Sequence, residues 1–375
     1  TAGTTGDGLS NLFAASTANA GVLISLKRIP VLSGATTTAA FTTTYGAPSA
    51  AQVFSISGSY LNGSINILAP AGFEVSTNGT TFSSSVSLPS SGGTLYVRLS
   101  ATAPVGSYNS FQISISSSGA TTIYLTTPTT GNIVTARPLT ITANNLSKCQ
   151  GAAISFLGTE FTSSGLQNGE TIGSVSLSST GAGSGAAAGS YPIVPSTAIG
   201  GSFLSPNYSI TYTSGTLTVN PLPSIPVGVD NSRCGTGTVT ISGTPGAGET
   251  IDWFSAPTGG TALLSGATSY TTPSISSTTT YYAQARNTTT GCVSSARVGV
   301  TATVNAVPTA PTAGNASRCG TGTATISATP GAGETIDWYA ASTGGTALSS
   351  GSTSYTTPSI SANTTYYAEA RNTTT

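Results

Sequence analysis

Short runs in which apolar and polar residues alternate recur along the whole chain. The clearest lies between residues 95 and 99, where Leu95, Val97 and Leu99 alternate with Tyr96 and Arg98. Successive side chains of a β-strand point to opposite faces of the sheet. We therefore expect the three apolar residues of this run to face a core and the other two to face outward.

Similar runs fill the chain between turns rich in glycine and proline, and no window has the 3.6-residue spacing of an amphipathic helix. One stretch occurs twice: residues 234–290 recur as residues 319–375 at an offset of 85, and 47 of the 57 aligned positions are identical. A strand-rich repeat of this length predicts an array of small β domains. The predicted fold class is all-β, a tandem array of antiparallel β-sandwiches with essentially no helix.

Two proline-rich stretches, at residues 221–226 and 307–311, divide the second half of the chain. Prolyl linkers are short and stiff, so we expect the domains to form a semi-rigid rod. Five segments are predicted: a linker or the end of a preceding domain at residues 1–29, a sandwich of roughly seven strands at 30–136, a small β domain at 137–220, a repeat at 221–306, and a second repeat at 307–375.

The second repeat is predicted to lack a final strand. In the first repeat, Val298–Val304 is the closing strand and Cys292 precedes it; their counterparts would lie beyond Thr375, with the cysteine at position 377. A sandwich without its closing strand exposes an unpaired edge. We therefore expect the natural chain to continue beyond this residue.

The chain contains four cysteines. Cys234 and Cys292 lie in one repeat, and in a secreted Thr/Ser-rich protein we predict a disulfide between them. Two free buried thiols, or bonds between neighbouring domains, are the alternatives. Cys149 and Cys319 are predicted to be unpaired within the chain, Cys149 as a buried thiol.

Composition excludes several functions. Ten basic and ten acidic residues make up 5% of the chain, so there is no cationic surface for nucleic acid and no polybasic membrane segment. No apolar run is long enough to cross a membrane as a helix, so direct insertion is not expected.

The absence of histidine removes most catalytic constellations, including triads, cysteine–histidine pairs and histidine-bound metals. The two lysines, Lys27 and Lys148, lack the spacing of a serine–lysine mechanism. Glu249 and Asp252 are repeated as Glu334 and Asp337. Because each copy carries them, we expect these carboxylates to support the fold, pairing with the arginines at positions 286 and 371. We predict no catalytic residue, no metal site and no cofactor.

Two tyrosine pairs, Tyr281–Tyr282 and Tyr366–Tyr367, place one ring on each side of a strand. An exposed ring could contact a sugar, so these four residues are the candidate contact residues. The simpler interpretation is one core and one surface tyrosine in each pair.

Particular motifs resemble known families. Residues 139–143 (LTITA), 168–171 (NGET) and 206–219 (PNYSITYTSGTLTV) resemble the bacterial MBG repeat domain of cell-surface proteins, although Lys148-Cys149-Gln150-Gly151 departs from its usual Lys-x-Tyr-Gly. The motifs Cys-Gly-x-Gly, Ile-Asp-Trp-Phe/Tyr, Gly-Gly-Thr-Ala-Leu and Tyr-Tyr-Ala-x-Ala of the repeats are similar to Ig-like repeats of secreted Bacteroidota proteins. Residues 72–76 (GFEVS) and 96–99 (YVRL) resemble a further β module of the same proteins.

The resemblance implies Ig-like sandwiches at the cell surface. Such repeats occur in large adhesins, including gliding-motility adhesins exported by the type IX secretion system. The first hypothesis is thus a structural and adhesive segment of an extracellular, outer-membrane-associated adhesin. Its partners would be surface glycans or other surfaces, other domains of the same chain, and outer-membrane anchoring machinery. The alternative is a non-catalytic stalk or carbohydrate-binding region of a secreted enzyme.

Overall fold

A computed structural model describes residues 27–374. Within them the regular elements are 31 strands and one short 3-10 helix, Ser205–Asn207, so the all-β prediction is confirmed. The predicted segment 1–29 lies almost entirely outside the described residues. The chain divides into two compact units, one ending at Val219 and the other beginning at Asn220.

The first predicted sandwich contains eleven strands: β1 (Val31–Gly34), β2 (Thr42–Thr44), β3 (Gln52–Ser59), β4 (Ile65–Leu68), β5 (Phe73–Ser76), β6 (Ser85–Leu88), β7 (Gly92–Leu99), β8 (Gly106–Ser107), β9 (Gln112–Ser116), β10 (Ile123–Thr126) and β11 (Ile133–Thr135). They form three sheets, with strand orders β1-β3-β7-β5, β10-β9-β4-β6 and β2-β11-β8. We expected about seven strands. Elements such as β8, with two residues, are too short to show alternation in the sequence.

The alternating run in β7 behaves as predicted. Leu95, Val97 and Leu99 are fully buried. Arg98 lies opposite Glu74 on β5, and its Nε atom is 2.6 Å from Glu74 Oε1. The outward face of this strand is therefore fastened to its neighbour by an ion pair.

The next seven strands belong to residues 137–220: β12 (Arg137–Ala143), β13 (Leu146–Cys149), β14 (Phe161–Ser164), β15 (Ile172–Ser178), β16 (Gly189–Gly201), β17 (Tyr208–Thr213) and β18 (Gly215–Asn220). One sheet has the order β14-β12-β17 and the other the order β13-β18-β16-β15. Strand β12 follows β11 after a single residue, so no linker separates this part from the first sandwich.

A buried polar joint connects these two parts. The hydroxyls of Tyr45 and Tyr208 donate hydrogen bonds to the two carboxylate oxygens of Glu170, Tyr45 at 2.5 Å, and the two rings meet edge to face. Gly46 has a φ of +85°, and a Cβ atom there would lie 2.2 Å from Gln167 Cγ. One continuous cluster of buried apolar residues runs from Phe41 into the second part. The two parts thus share a core.

The remaining strands form the two repeats. The first repeat has β19 (Val227–Val229), β20 (Asn231–Cys234), β21 (Thr240–Thr244), β22 (Glu249–Phe254), β23 (Ser269–Thr271), β24 (Thr279–Asn287) and β25 (Val298–Asn305). The second has β26 (Thr312–Gly314), β27 (Thr325–Thr329), β28 (Glu334–Tyr339), β29 (Ser349–Ser350), β30 (Ser354–Thr356) and β31 (Tyr367–Asn372). In the first repeat, β19-β21-β23 faces β20-β25-β24-β22; in the second, the sheets are β26-β27-β30 and β29-β28-β31.

Each repeat is built around one tryptophan. Trp253 is 0% exposed, and its indole Nε1 donates to the carbonyl of Ala267 at 2.9 Å. Trp338 is 2% exposed and bonds to Ser352 in the same way. Ile251 and Trp253 are two residues apart on one strand, which predicts that they share a face and that the tryptophan lies in the core; this prediction is confirmed.

An aspartate–arginine pair braces each repeat, as expected from the duplication. Asp252 Oδ2 lies 2.7 Å from Arg286 Nε, and Asp337 Oδ2 lies 2.8 Å from Arg371 Nε. Burial opposes ionisation of Asp252, but hydrogen bonds from Arg286 and from the Gly266 N–H lower its pKa overall. For Asp337, the hydrogen bond from Arg371 is the main cause of the lowered pKa.

Replacing the tryptophans tests the two cores. We expect Trp253→Ala to cost about 3–5 kcal/mol of unfolding free energy, the usual range for a buried tryptophan. Trp338→Ala should cost less, because its core contains three buried residues where that of Trp253 contains eight. Denaturant titration of the full chain by circular dichroism measures both losses. Equal losses would contradict the difference between the cores.

The hydrogen bonds of Tyr45 and Tyr208 with Glu170 predict that alkaline pH lowers the folding stability of the unit ending at Val219. Burial, and then the hydrogen bond to Glu170, raises the pKa of Tyr208 to about 12, against 10.0 for a free tyrosine. Its stabilising contribution is therefore complete below the ordinary pKa and is lost as the pH rises through about 12. We expect the unit ending at Val219 to lose about 3 kcal/mol over this range. Tyr208→Phe should remove most of this dependence.

The control for this experiment is Tyr124→Phe, because Tyr124 is 46% exposed. Denaturation midpoints measured alongside tyrosinate absorbance follow both variants. A Tyr208→Phe protein with unchanged alkaline sensitivity would show that the joint does not titrate as described.

The two aspartate–arginine pairs predict that acidic pH lowers the folding stability of the repeats. Because the pKa values of Asp252 and Asp337 are lowered in the folded chain, the stabilisation is present above the ordinary carboxyl pKa and disappears as the pH falls below it. We expect the Asp252→Asn and Asp337→Asn double variant to lose less stability on acidification than the parent. Urea midpoints between about pH 6 and pH 2 measure this slope. A steeper slope in the variant is the contrary result.

Candidate functional site

The four candidate tyrosines occupy different environments. Tyr281 is buried at 7% exposure, with its ring 5.1 Å from that of Tyr270, while Tyr282 is half-buried. In the second repeat Tyr366 is half-buried, and Tyr367 is exposed at 40%. Tyr367 is thus the most accessible ring of the four.

The predicted bond between Cys234 and Cys292 is wrong. Cys234 is a free and exposed thiol, whereas Cys292 is disulfide-bonded and buried. Cys234 pairs with Asn305, beyond the Thr279 end of β24, and Cys292 bonds to Asn287 at the other end of that strand. Nine residues of strand span about 30 Å. A disulfide needs Cα atoms within about 7 Å, so this pairing is sterically impossible.

The other two cysteine predictions have different outcomes. Cys319 is free and exposed, at the position equivalent to Cys234. Cys149 was expected to be a buried unpaired thiol, and this is wrong: it is half-buried and disulfide-bonded. Its neighbour Lys148 takes the buried position instead, at 8% exposure. Cys149 follows Lys148 on β13, and adjacent residues of a strand point to opposite faces.

Charged groups that could act in catalysis are held by the fold. The Lys148 ammonium donates to the carbonyl oxygens of Ala152, Ala182 and Gly183 at 2.7, 3.1 and 2.6 Å. Glu249 Oε2 accepts from the Gly246 N–H at 3.0 Å, and Asp252 is occupied by Arg286. Between residues 27 and 374 no group of three or more His, Cys, Asp or Glu side chains is placed to hold a metal.

A groove of about 710 Å³ lies at the beginning of the described chain. Lys27, Arg28, Tyr60 and Asn62 contribute its polar wall. The Arg28 guanidinium carbon lies 4.4 Å from the centre of the Tyr60 ring, a cation–π contact. Tyr60 has a φ of +58°, which is unusual for a residue with a side chain. Aromatic faces, cations and amides are groups that bind sugars and carboxylates.

A second groove of about 710 Å³ lies in the second repeat, against the linker Val307–Pro311. Tyr339, Tyr367 and Glu369 contribute side chains to its wall. Tyr367 was predicted from the sequence as a contact residue, but Tyr339 and Glu369 were not. Comparison of the two repeats could have found them. Tyr339 and Glu369 are two of the ten positions at which the aligned repeats differ, and they replace Phe254 and Gln284 of the first repeat.

Within residues 27–374, no helix has the length and hydropathy to cross a membrane.

Comparison with protein families identifies the repeats. Residues 223–305 and 308–375 each match the model of the family described as "Ig-like domain CHU_C associated". Residues 139–218 match the model described as "MBG domain (YGX type)". The resemblance of the two repeats to Ig-like domains and that of the preceding segment to the MBG domain are thereby confirmed. No match was found among curated proteins.

Solved structures give weaker matches. Domains A168–A170 of titin align over 70% of this chain and 94% of their own, at 13% identity and a TM-score of 0.34. The extracellular domains 3–5 of Drosophila OTK align over 70% and 93%, at 13% identity and a TM-score of 0.24. The FN1–FN3 domains of chicken CNTN1 align over 88% of this chain and 92% of their own, at 9% identity and a TM-score of 0.23. Scores this low carry no argument about function.

The family models and the sheet topology lead to the same architecture. The chain consists of tandem β-sandwich domains, with two Ig-like repeats of the CHU_C-associated type after a segment of the MBG type.

Proposed function

We propose that this chain is a non-catalytic structural and adhesive segment of a large protein exported to the cell surface. One observation carries the proposal: the charged side chains are used to hold strands and turns together. Three ion pairs brace sheets, Glu170 fastens the joint, and Lys148 binds three backbone carbonyls. A segment whose few charged side chains bind its own strands and turns is suited to bearing mechanical load rather than to catalysis.

Several finer points belong to the same proposal. The MBG-type segment and the tandem Ig-like repeats support an extracellular location and an array in which weak contacts are multiplied by repetition. We place the parent protein among Bacteroidota adhesins of the gliding type, exported by the type IX system and held at the outer membrane by its anchoring machinery. The stiff prolyl linkers support the rod predicted from the sequence.

Deletion in the source organism tests this function. Removing the coding region for residues 30–374 from the parent gene should leave export intact but lower attachment of cells to surfaces. Immunolabelling of intact cells with an antibody against the purified chain should be positive for the parent and negative for the deletion. Unchanged attachment, or labelling only after cell lysis, is the opposite outcome.

A carbohydrate-binding region of a secreted enzyme is the second candidate, favoured by the groove with Arg28 and Tyr60. A binding module should retain a defined set of glycans on an array, and Tyr60→Ala should reduce that binding by about tenfold, because loss of an aromatic sugar platform costs about 1–2 kcal/mol. Tyr96→Ala on β7 is the control, because Tyr96 does not line this groove. An array without binding removes this candidate and leaves the adhesive proposal intact.

A further inference from the structure

An early strand of the first sandwich lies beside its last strand. Strand β2 pairs with β11 in parallel, with Thr42 opposite Ile133 and Thr44 opposite Thr135. Strand β11 ends this sandwich, and only Ala136 separates it from β12. Tension along the chain therefore pulls β2 by its first residue and β11 by its last residue.

The parallel direction decides how such tension acts on this pair. Two parallel strands that are pulled from opposite ends slide past each other, so the load falls on all of their evenly spaced hydrogen bonds at the same time. Strands that are pulled apart from one shared end lose these bonds one after another. The pairing of β2 with β11 thus has the geometry in which a short ladder resists tension most strongly.

Backbone and side-chain hydrogen bonds hold the two strands together. The Ile133 N–H donates to the Phe41 carbonyl at 3.0 Å, and the Tyr45 N–H donates to the Thr135 carbonyl at the same distance. The hydroxyls of Thr44 and Thr135 share a further hydrogen bond at 3.1 Å. The Thr135 hydroxyl also donates to a backbone carbonyl of β2 at 3.3 Å, so this side chain fastens β11 to β2 twice.

Two buried aromatic residues flank β2 and prevent it from sliding. Phe41, directly before the strand, is 2% exposed, and its ring meets that of Phe73 edge to face at 5.4 Å. Tyr45, directly after the strand, is 4% exposed, and its hydroxyl donates to Glu170. A sliding strand would pull both rings out of the core, so the ladder cannot move to a new register while the core is intact.

A buried amide reinforces the end of β2 at which the load arrives. Asn132 is 1% exposed, and its Oδ1 accepts a hydrogen bond from the Phe41 N–H at 3.0 Å. Its Nδ2 donates to Asn109 Oδ1 at 3.1 Å and to the Pro128 carbonyl at 2.9 Å. The amide thus ties the beginning of β2 to the loop before β11.

The same arrangement recurs in the two following domains. Strand β12 pairs in parallel with β17 over six residues, and β20 pairs in parallel with β25 over four. In each domain an early strand thus lies in parallel beside the last strand or the one before it. Three domains with different strand orders share this feature.

We propose that the parallel pair β2–β11 is a mechanical clamp, which sets the tension that the first sandwich withstands before it opens. The clamp rests on the proposed structural role only for its biological use, since a segment between a cell and a surface is under tension. Its hydrogen bonds, its two aromatic anchors and the Asn132 amide break together, because each of them opposes the same sliding motion. Folding stability and resistance to tension are therefore separable properties of this sandwich.

Single-molecule stretching of the full chain between handles at its two ends tests the clamp. Cys234→Ser and Cys319→Ser remove the free thiols, so that the handles attach only at the ends. Cys149 and Cys292 both come after β11, so their disulfide bonds do not carry load past the clamp. Opening of residues 42–135 is recognised by the release of at least about 320 Å of chain.

A matched pair of substitutions tests the side-chain bonds. Thr135→Val removes the two hydroxyl bonds of the clamp and keeps a β-branched side chain. At a fixed force we expect the lifetime of the folded sandwich to fall at least about fivefold, the factor that corresponds to one lost hydrogen bond. Thr271→Val is the control, because its hydroxyl shares the same kind of cross-strand bond with Thr240, at 2.9 Å, in the antiparallel pair β21–β23. The control should leave this lifetime unchanged.

A pair of prolines tests the backbone ladder. N–H groups alternate in direction along a strand, so the bond from Tyr45 to β11 places the Thr43 N–H on the same side and the Thr42 N–H on the other. Strand β2 lies at the edge of its sheet, where proline is tolerated. Thr43→Pro should shorten the lifetime because it removes a ladder donor, and Thr42→Pro should not.

A change in the point of attachment tests the direction of the load. A handle at Pro48→Cys, an exposed position after β2, lets the load enter beyond the clamp. The force that opens residues 49–135 should then be several-fold lower than in the same variant pulled from its ends. Equal forces in the two geometries, or equal effects of Thr135→Val and Thr271→Val, overturn the clamp. A weak clamp in a chain whose deletion abolishes cell attachment would remove this inference and leave the adhesive function standing.

Discussion

Hydrogen bonding between neighbouring strands decides how much of each sandwich in this chain is ordered. The two repeats are nearly identical in sequence, yet β20 and the first third of β24 have no strand counterparts in the second repeat. In the first repeat both segments pair with β25. That strand also contributes Val300 and Ala302 to the core, since a strand supplies both hydrogen bonds and a row of inward side chains.

Charge is used sparingly and locally. Arg286 and Arg371 lie next to aspartates on the adjacent strand, and Arg98 lies opposite Glu74 in register. Cross-strand ion pairs of this kind fix register as well as adding stability. Glu170 differs, because its carboxylate joins two parts of the chain rather than two strands of one sheet.

Much of this architecture could be predicted from the sequence. The alternation at residues 95–99 placed three core residues, the spacing of Ile251 and Trp253 placed the tryptophan in the core, and the duplication predicted the aspartate–arginine braces. Short strands such as β8 could not be predicted, because two residues carry no period. The cysteine pairing failed because proximity in sequence and a shared repeat say nothing about which end of a strand each cysteine occupies.

Only part of the candidate site could be predicted from the sequence. Tyr367 was recognised from its doublet, but its groove depends on Tyr339 and Glu369, which come from separate strands. The substitutions of Phe254 by tyrosine and Gln284 by glutamate were visible in the alignment of the repeats. That Tyr339, Tyr367 and Glu369 meet in one groove depends on the pairing of Tyr339 with Tyr367 across two strands, which only the fold reveals.

The joint at Tyr45, Glu170 and Tyr208 also bears on how such proteins evolve. Arrays of this kind diversify by duplicating and exchanging whole modules, which is simple when modules meet through prolyl linkers. The MBG-type segment lacks that freedom at its beginning, because β12 follows β11 after one residue and a shared core crosses the boundary. Recombination at residue 136 would separate Tyr45 from Glu170, its hydrogen-bond acceptor, and from Tyr208, its ring partner. The first two parts of this chain should therefore be inherited together, as one exchangeable piece.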